Sequence, residues 1–89
     1  MKIEFDPAKD ARSQRERGLP LDFGALVLRN AIATFEDTRR DYGESRFIVF
    51  GLIQDVLFCT VYTMRGSVIR IISIRRANRK ETRQWLPNR

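Results

Sequence analysis

The run Val68-Ile69-Arg70-Ile71-Ile72-Ser73-Ile74-Arg75-Arg76 decides the fold of this chain. Five β-branched aliphatics in nine residues read as a central strand, apolar enough to be covered on both faces. Three arginines are set into it, and a guanidinium does not give up its proton to enter a dry core. One part of the sheet must therefore open to solvent or to an anionic partner around Arg70, Arg75 and Arg76. Cations carried to a sheet surface suit the phosphates of a nucleic acid. The plainer alternative is that these arginines pair with Glu and Asp at the strand ends. Adjacent strand residues point to opposite faces, so Arg75 and Arg76 share one phosphate clamp only if the strand twists or bulges.

Upstream, Arg46–Leu52 and Val56–Met64 also read as strands, with Gln54-Asp55 as the hairpin tip and Arg65-Gly66-Ser67 as the second turn. The three strands form an antiparallel meander. At the N-terminus, Lys2-Ile3-Glu4-Phe5 alternates as a short strand with Ile3 and Phe5 facing the core. Asp6 caps a helix whose first residue is Pro7, and the helix runs to about Arg17 and stops at Gly18. Ala8 and Ala11 are its only apolar residues, so it lies flat on the sheet and stays wet, with Lys9, Arg12, Arg15 and Arg17 as a basic side. Leu19-Pro20-Leu21-Asp22 opens a second helix through Arg29, with Leu21, Ala25 and Leu28 on one side and Phe23, Leu26 and Val27 adjoining. Gly24 weakens that helix by about 1 kcal/mol relative to alanine, and Asn30 is read as its left-handed stop. Ala31–Glu36 is a strand, and Asp37–Ser45 a polar loop. Asn78 caps a last basic helix, Arg79 to about Leu86, ended by Pro87. The architecture is α+β: a mostly antiparallel sheet with two N-terminal helices and a short C-terminal helix.

At 89 residues this is one domain, 1–89, with a small core. Hydrophobic residues make up 43% and charged ones 31%, which is ordinary for a folded protein and argues against disorder. The net charge of +6 points toward nucleic acid or an acidic protein partner. Cys59 is the sole cysteine and histidine is absent, which removes an intramolecular disulfide, Cys/His zinc sites, a Ser-His-Asp triad and imidazole acid–base chemistry. No apolar run approaches the roughly 20 residues of a membrane span. Glu4, Asp6, Lys9 and Asp10 interrupt any signal-like segment, so the expected location is the cytoplasm.

Several blocks stand in register with a known family. They are Phe5-Asp6-Pro7-Ala8-Lys9, Gly18, Glu36-Asp37-x-Arg39-x-x-Tyr42-Gly43-Glu44-x-Arg46, Gly51 and Arg65-Gly66. Ile69-Arg70-Ile71-Ile72-Ser73-x-Arg75-Arg76-Ala77 and Arg79 with Glu81 complete the set. Together these resemble the BrnT toxins of bacterial type II toxin–antitoxin pairs, small ribonucleases with a RelE-like fold. The resemblance spans nearly the whole chain. It departs at Ser13-Gln14-Arg15-Glu16-Arg17-Gly18, where the family commonly reads Asn-x-x-Lys-His-Gly. Arg17 can supply charge or a hydrogen bond there, but not the proton transfer of an imidazole.

The resemblance implies a metal-independent endoribonuclease without a cofactor, acting on RNA, with messenger RNA the expected substrate. Its implied partner is a BrnA-like ribbon–helix–helix antitoxin, with DNA reached only through that antitoxin. Attack by a 2′-OH on the adjacent phosphate needs a proton acceptor, stabilisation of added negative charge and a donor for the leaving 5′-oxygen. Arg65, Arg70, Arg75 and Arg76 are the expected phosphate ligands, converging on one phosphodiester. Lys9, Glu44 or Tyr62 would move the proton, and side chains of these types ordinarily titrate far from 7. A wider RNA-contacting set comprises Arg12, Arg17, Arg46, Tyr62, Arg79 and Arg83. Each has a plainer reading: a surface lysine at 9, a hairpin-end ion pair of Glu44 with Arg46, a core Tyr62. Cys59 reads as a buried hydrophobe, and Trp85 either anchors its helix or stacks on a base. The alternative function is a basic nucleic-acid-binding domain without turnover that serves only as its antitoxin's partner.

Overall fold

In the computed structural model, which describes residues 1–88, the chain forms β1 (Ile3–Glu4), α1 (Pro7–Arg17), α2 (Phe23–Arg29), β2 (Ala31–Glu36), β3 (Phe47–Ile53), β4 (Val56–Arg65), β5 (Val68–Arg76) and α3 (Arg79–Trp85). The strands make one sheet ordered β1-β5-β4-β3-β2, with β1 parallel to β5 and the remaining pairs antiparallel. This is the α+β architecture the sequence implied. Local chemistry sets the helix ends as expected. The Asp6 carboxylate accepts the Ala8 N–H at 2.9 Å, and Gly18 turns left-handed at φ 68° to close α1. Asn78 and Glu81 form a reciprocal capping box at the start of α3. Gln54 and Asp55 both take positive φ at the β3–β4 tip, as a two-residue hairpin turn matching strand twist requires.

The two faces of the sheet are covered unequally. On one, α1 and α2 enclose Leu19, Leu21, Val27, Phe58, Ile71 and Ile74, with Ile3, Phe5, Phe23 and Tyr62 packed around them. On the other, only α3 contributes, and its Trp85 together with Leu86 covers Phe50, Leu57 and Cys59. The rest of that second face is open except at the β4–β5 turn end, where the loop before β3 covers Thr63.

Three local expectations are corrected. In α1 the inward residue is Ser13, whose hydroxyl donates to the Leu19 carbonyl at 2.6 Å, whereas Ala8 and Ala11 face solvent. Asp10 ties α1 to the next segment by accepting the Leu21 N–H at 2.7 Å. In α2 the buried line is Gly24 and Val27, and Leu26 is exposed, because the helix begins only at Phe23 and crosses three strands at close range. Asn30 is not left-handed (φ −114°). Its side-chain amide instead donates to the Leu26 carbonyl at 2.9 Å.

Close approach explains the glycines at this interface. A Cβ on Gly51 would collide with the Val27 carbonyl oxygen, a backbone atom that cannot swing away. A Cβ on Gly24 would lie 2.7 Å from the Thr60 hydroxyl, a side chain with some freedom to move. Gly51→Ala is therefore expected to lose about 2–3 kcal/mol in urea unfolding. Gly24→Ala should lose less, because it regains about 1 kcal/mol of helix propensity. The reverse order of the two midpoints would show that α2 does not sit this tightly on β3.

Candidate nucleic-acid interface

One extra residue in β5 arranges the arginines. Across the β4–β5 ladder Arg70 opposes Thr63, Ile71 opposes Tyr62, Ser73 opposes Val61, Arg75 opposes Cys59 and Arg76 opposes Phe58, leaving Ile72 as a bulge. Strict alternation would put Arg70 and Arg75 on opposite faces. With the bulge, both share the open face with Ser73, since Thr63, Val61 and Cys59 alternate regularly on β4. Arg76 faces the helices, its guanidinium 5.8 Å from the centroid of the Phe58 ring. The expected convergence of Arg65, Arg70, Arg75 and Arg76 on one phosphodiester is thus corrected: Arg76 lies on the other side. Arg70 and Arg75 are separated by four residues of β4, about 13 Å at 3.3 Å per residue.

A tighter group forms at the turn end of the open face. Arg65 opposes Val68, so Arg70 is its diagonal neighbour on the same face. The polar loop delivers Glu44 to Arg65 at 3.8 Å, while the other Glu44 oxygen accepts from Arg46 Nε at 3.2 Å. Thr63 fastens the loop by donating to the Ser45 carbonyl at 2.7 Å. Arg46 stacks over the Tyr42 ring at 4.3 Å. Further back, buried Asp37 accepts two hydrogen bonds from the Arg39 guanidinium and one from the Tyr42 hydroxyl, each 2.8 Å. The Arg39 hydrogen bonds, aided by Tyr42 and opposed by burial, hold the Asp37 carboxyl well below the usual range and raise the Arg39 pKa further. Glu44, Arg46 and Arg65 are therefore brought together, with Arg70 diagonal to Arg65 on the next strand and paired to Glu4 on its far side.

Arg75 occupies the other end. Both its terminal nitrogens donate to Glu81 at 2.8 Å, and Glu81 Oε1 also accepts the Asn78 N–H at 2.9 Å. The same carboxylate that caps α3 thus pins the guanidinium. The Arg75 hydrogen bonds bring the Glu81 pKa down from 4.5 to about 2, against the opposing effect of burial, and the Arg75 pKa rises for the same reason. Cys59 lies across the ladder from Arg75, and burial pushes its thiol up. Between the two ends runs a cleft of about 380 Å³ lined by Phe35, Arg39, Ile48, Phe50, Cys59, Val61, Ser73, Arg75 and Glu81.

A second cleft, about 240 Å³, opens along the edge of β5 beside α1, and Lys9, Arg12, Ser13, Glu16, Arg17, Leu21, Ile72 and Ser73 line it. Lys9 is therefore not beside Glu44. Arg17 donates to the Ile74 carbonyl at 2.9 Å, the hydrogen bond that a guanidinium can supply in place of an imidazole. Tyr62 packs on the helix-covered face, 5.3 Å from the Phe47 ring and away from Arg75. Arg79 and Arg83 are exposed on α3. Among the described residues Lys9, Arg12, Arg17, Arg76, Arg79 and Arg83 make no ion pair, whereas Arg46, Arg65, Arg70 and Arg75 each meet a carboxylate, Arg70 reaching Glu4 at 3.5 Å. Sequence reasoning did not assign Glu4 or Phe35 to the site. It noted Glu81 only as part of the family pattern, although the spacing Asn78-x-x-Glu81 is that of a capping box.

Comparison with known proteins identifies the family. The family model for the ribonuclease toxin, BrnT, of type II toxin–antitoxin systems matches residues 5–81, and the chain belongs to that family. It is accordingly the toxin of such a pair, with ribonuclease activity, RNA as substrate and an antitoxin as partner. No curated protein matches the chain. No helix among the described residues is long and apolar enough to cross a membrane.

The depressed Glu81 pKa has a definite sign in the pH dependence of stability. The Arg75–Glu81 contribution is complete above about 4.5 and is lost as pH falls through about 2. Thermal unfolding between these limits should show a decline that Glu81→Gln flattens. An unchanged acid limb in that variant would mean that another carboxylate, Asp37 foremost, carries it.

Proposed function

We propose that this toxin cuts single-stranded RNA across the open face of the sheet, without a metal ion, by attack of a ribose 2′-OH on the adjoining phosphate. The observation that carries this reading is the meeting of Glu44, Arg46 and Arg65 at one end of that face, with Arg70 on the adjoining strand diagonal to Arg65. Glu44 accepts the 2′-OH proton. Arg65 and Arg70 stabilise the charge added at the pentavalent phosphorus, a role that groups preorganised before reaction fill best. Arg46, held over Tyr42, orients the Glu44 carboxylate. The leaving 5′-oxygen takes its proton from solvent, giving a 2′,3′-cyclic phosphate and a 5′-hydroxyl. Arg75, about 13 Å along the strand, serves a neighbouring phosphate, and Lys9, Arg12 and Arg17 follow the backbone along the β5 edge.

The ion pairs rank these arginines. Contacts of 3.8 Å for Arg65 and 3.5 Å for Arg70 are charge contacts rather than good hydrogen bonds, and exposed pairs are worth under about 1 kcal/mol. An incoming phosphate displaces them at little cost. The bidentate pair of Arg75 with Glu81 is held far more firmly. Cations in place of a metal ion, beside a carboxylate base, support chemistry that needs no added ion. The antitoxin in this reading is a BrnA-like ribbon–helix–helix protein, and the toxin works in the cytoplasm.

One observation favours a second reading. Arg46, Arg65, Arg70 and Arg75 all have carboxylate partners within the chain, as a domain that only binds RNA or its antitoxin would show. Incubation with single-stranded RNA in excess EDTA separates the two. The nuclease gives new ends with cyclic phosphate, and Glu44→Gln lowers the rate about 10²-fold or more, with binding changed only a few-fold. Arg70→Lys keeps charge but not the planar fork, so it should lose rate well beyond its loss of affinity. Binding that falls steeply with salt, with no new ends under any condition, would establish the binding module instead.

A further inference from the structure

Phe35 is an aromatic ring that the fold supports from behind and leaves open in front. It lies on the outer strand β2, on the open face of the sheet, and is 41% exposed. Its ring stacks at 25° on Phe50 and on Trp85, with centroids 6.3 and 6.0 Å away, and those two rings lie 5.6 Å from each other. Two packed neighbours thus fix its plane. The free part of the ring lines the cleft of about 380 Å³, a volume in the range of small-ligand sites. Ile48 and Val61 give that cleft an apolar floor. The Ser73 hydroxyl beside them makes no hydrogen bond among the described residues, so it is available to a polar edge. Arg39, with a side chain 75% exposed, and Arg75 stand on the walls. Among the described residues Arg79, Lys80 and Arg83 on α3, the helix that contributes Glu81 to the cleft, make no ion pair.

We propose that this cleft is a nucleobase subsite: one unpaired base of the RNA stacks on Phe35, with its adjoining phosphate against Arg39 and Arg75. The inference rests on the nuclease reading and deepens it, by requiring a substrate with a base free of its own stack. Every base presents a π-face, so an aromatic platform beside cations suits single strands of any sequence. A base inside a duplex is stacked on both faces and cannot enter. An apolar segment of a protein partner is the competing occupant. The cations on the walls and on α3 favour a chain that brings phosphates along with its rings.

A noncleavable probe keeps this test apart from the nuclease reading. The full-length protein is titrated with a 2′-O-methyl single-stranded oligonucleotide and with the same oligonucleotide carrying one abasic position, scanned along it. Affinity and the fluorescence of Trp85, the chain's one tryptophan, are read together. Phe35→Ala and Phe35→Leu should weaken binding about tenfold, and Phe35→Tyr should retain it. Phe35→Leu keeps apolar packing against Phe50 and Trp85, so a loss shared by both variants is not a loss of fold. One abasic position should cost the wild type a similar factor and cost Phe35→Leu nothing further. Equal binding by wild type and Phe35→Leu, or an abasic effect undiminished in that variant, overturns the subsite. So does a Phe35→Leu protein that binds RNA normally but no longer holds its antitoxin. If the predicted binding pattern appears while natural RNA stays intact, the base site stands and the nuclease reading falls.

Discussion

Ile72 has no partner across the β4–β5 ladder, and that single extra residue governs the molecule on both sides of its sheet. Ile71 and Ile74 are three apart, yet both are buried under the helices. Without the bulge one of them would face outward, and the core beneath α1 and α2 would lose one of its fully enclosed side chains. The same insertion brings Arg70 and Arg75 to a common face. A bulge bends its strand and increases local twist, and here it lies where β5 runs past the two-residue β1 and its edge becomes free. Core formation and the composition of the basic face are therefore a single geometric event.

The second constraint is the permanence of guanidinium charge. Every arginine on the sheet has to be met by a carboxylate, an aromatic face or solvent. The fold uses all three: Glu44, Glu4 and Glu81 meet Arg65, Arg70 and Arg75, the Phe58 ring lies near Arg76, and Tyr42 lies under Arg46. These contacts differ greatly in strength. Long, partly exposed pairs yield readily to a phosphate, whereas Glu81 is fixed at once by Arg75 and by the backbone of its own helix. That gradient separates cations whose carboxylate is loosely held from Arg75, which keeps Glu81, holds α3 in place over Cys59 and Phe50, and can meet a phosphate only through its remaining N–H groups.

Among the described residues, cations without a carboxylate partner gather on α1 and α3. Lys9, Arg12 and Arg17 line the cleft at the β5 edge, and Ser73 borders both that cleft and the larger one on the open face. A polyanion lying over β5 at this point touches both. Part of the surplus of +6 thus lies in two adjoining clefts that meet at Ser73.

Much of this was legible in the residues themselves. Helix caps at Asp6, Gly18 and Asn78, the turn at Gln54-Asp55 and the apolar runs of β3, β4 and β5 are local signals, because capping, turn conformation and burial of a strand depend on near neighbours in sequence. The family pattern also marked Glu44, Arg46, Arg65, Arg70 and Arg75, though not how they group. Which face each arginine takes was beyond the reach of periodicity, since one unpaired residue inverts the alternation and its position is set by the ladder. The pairing of Glu44 with Arg46 was legible, but the carboxylates of Arg65, Arg70 and Arg75, the inward Ser13, and the exposure of Phe35 against Trp85 were hidden. These follow from contacts between residues far apart in the chain, and only the closed sheet with its helices in place decides them.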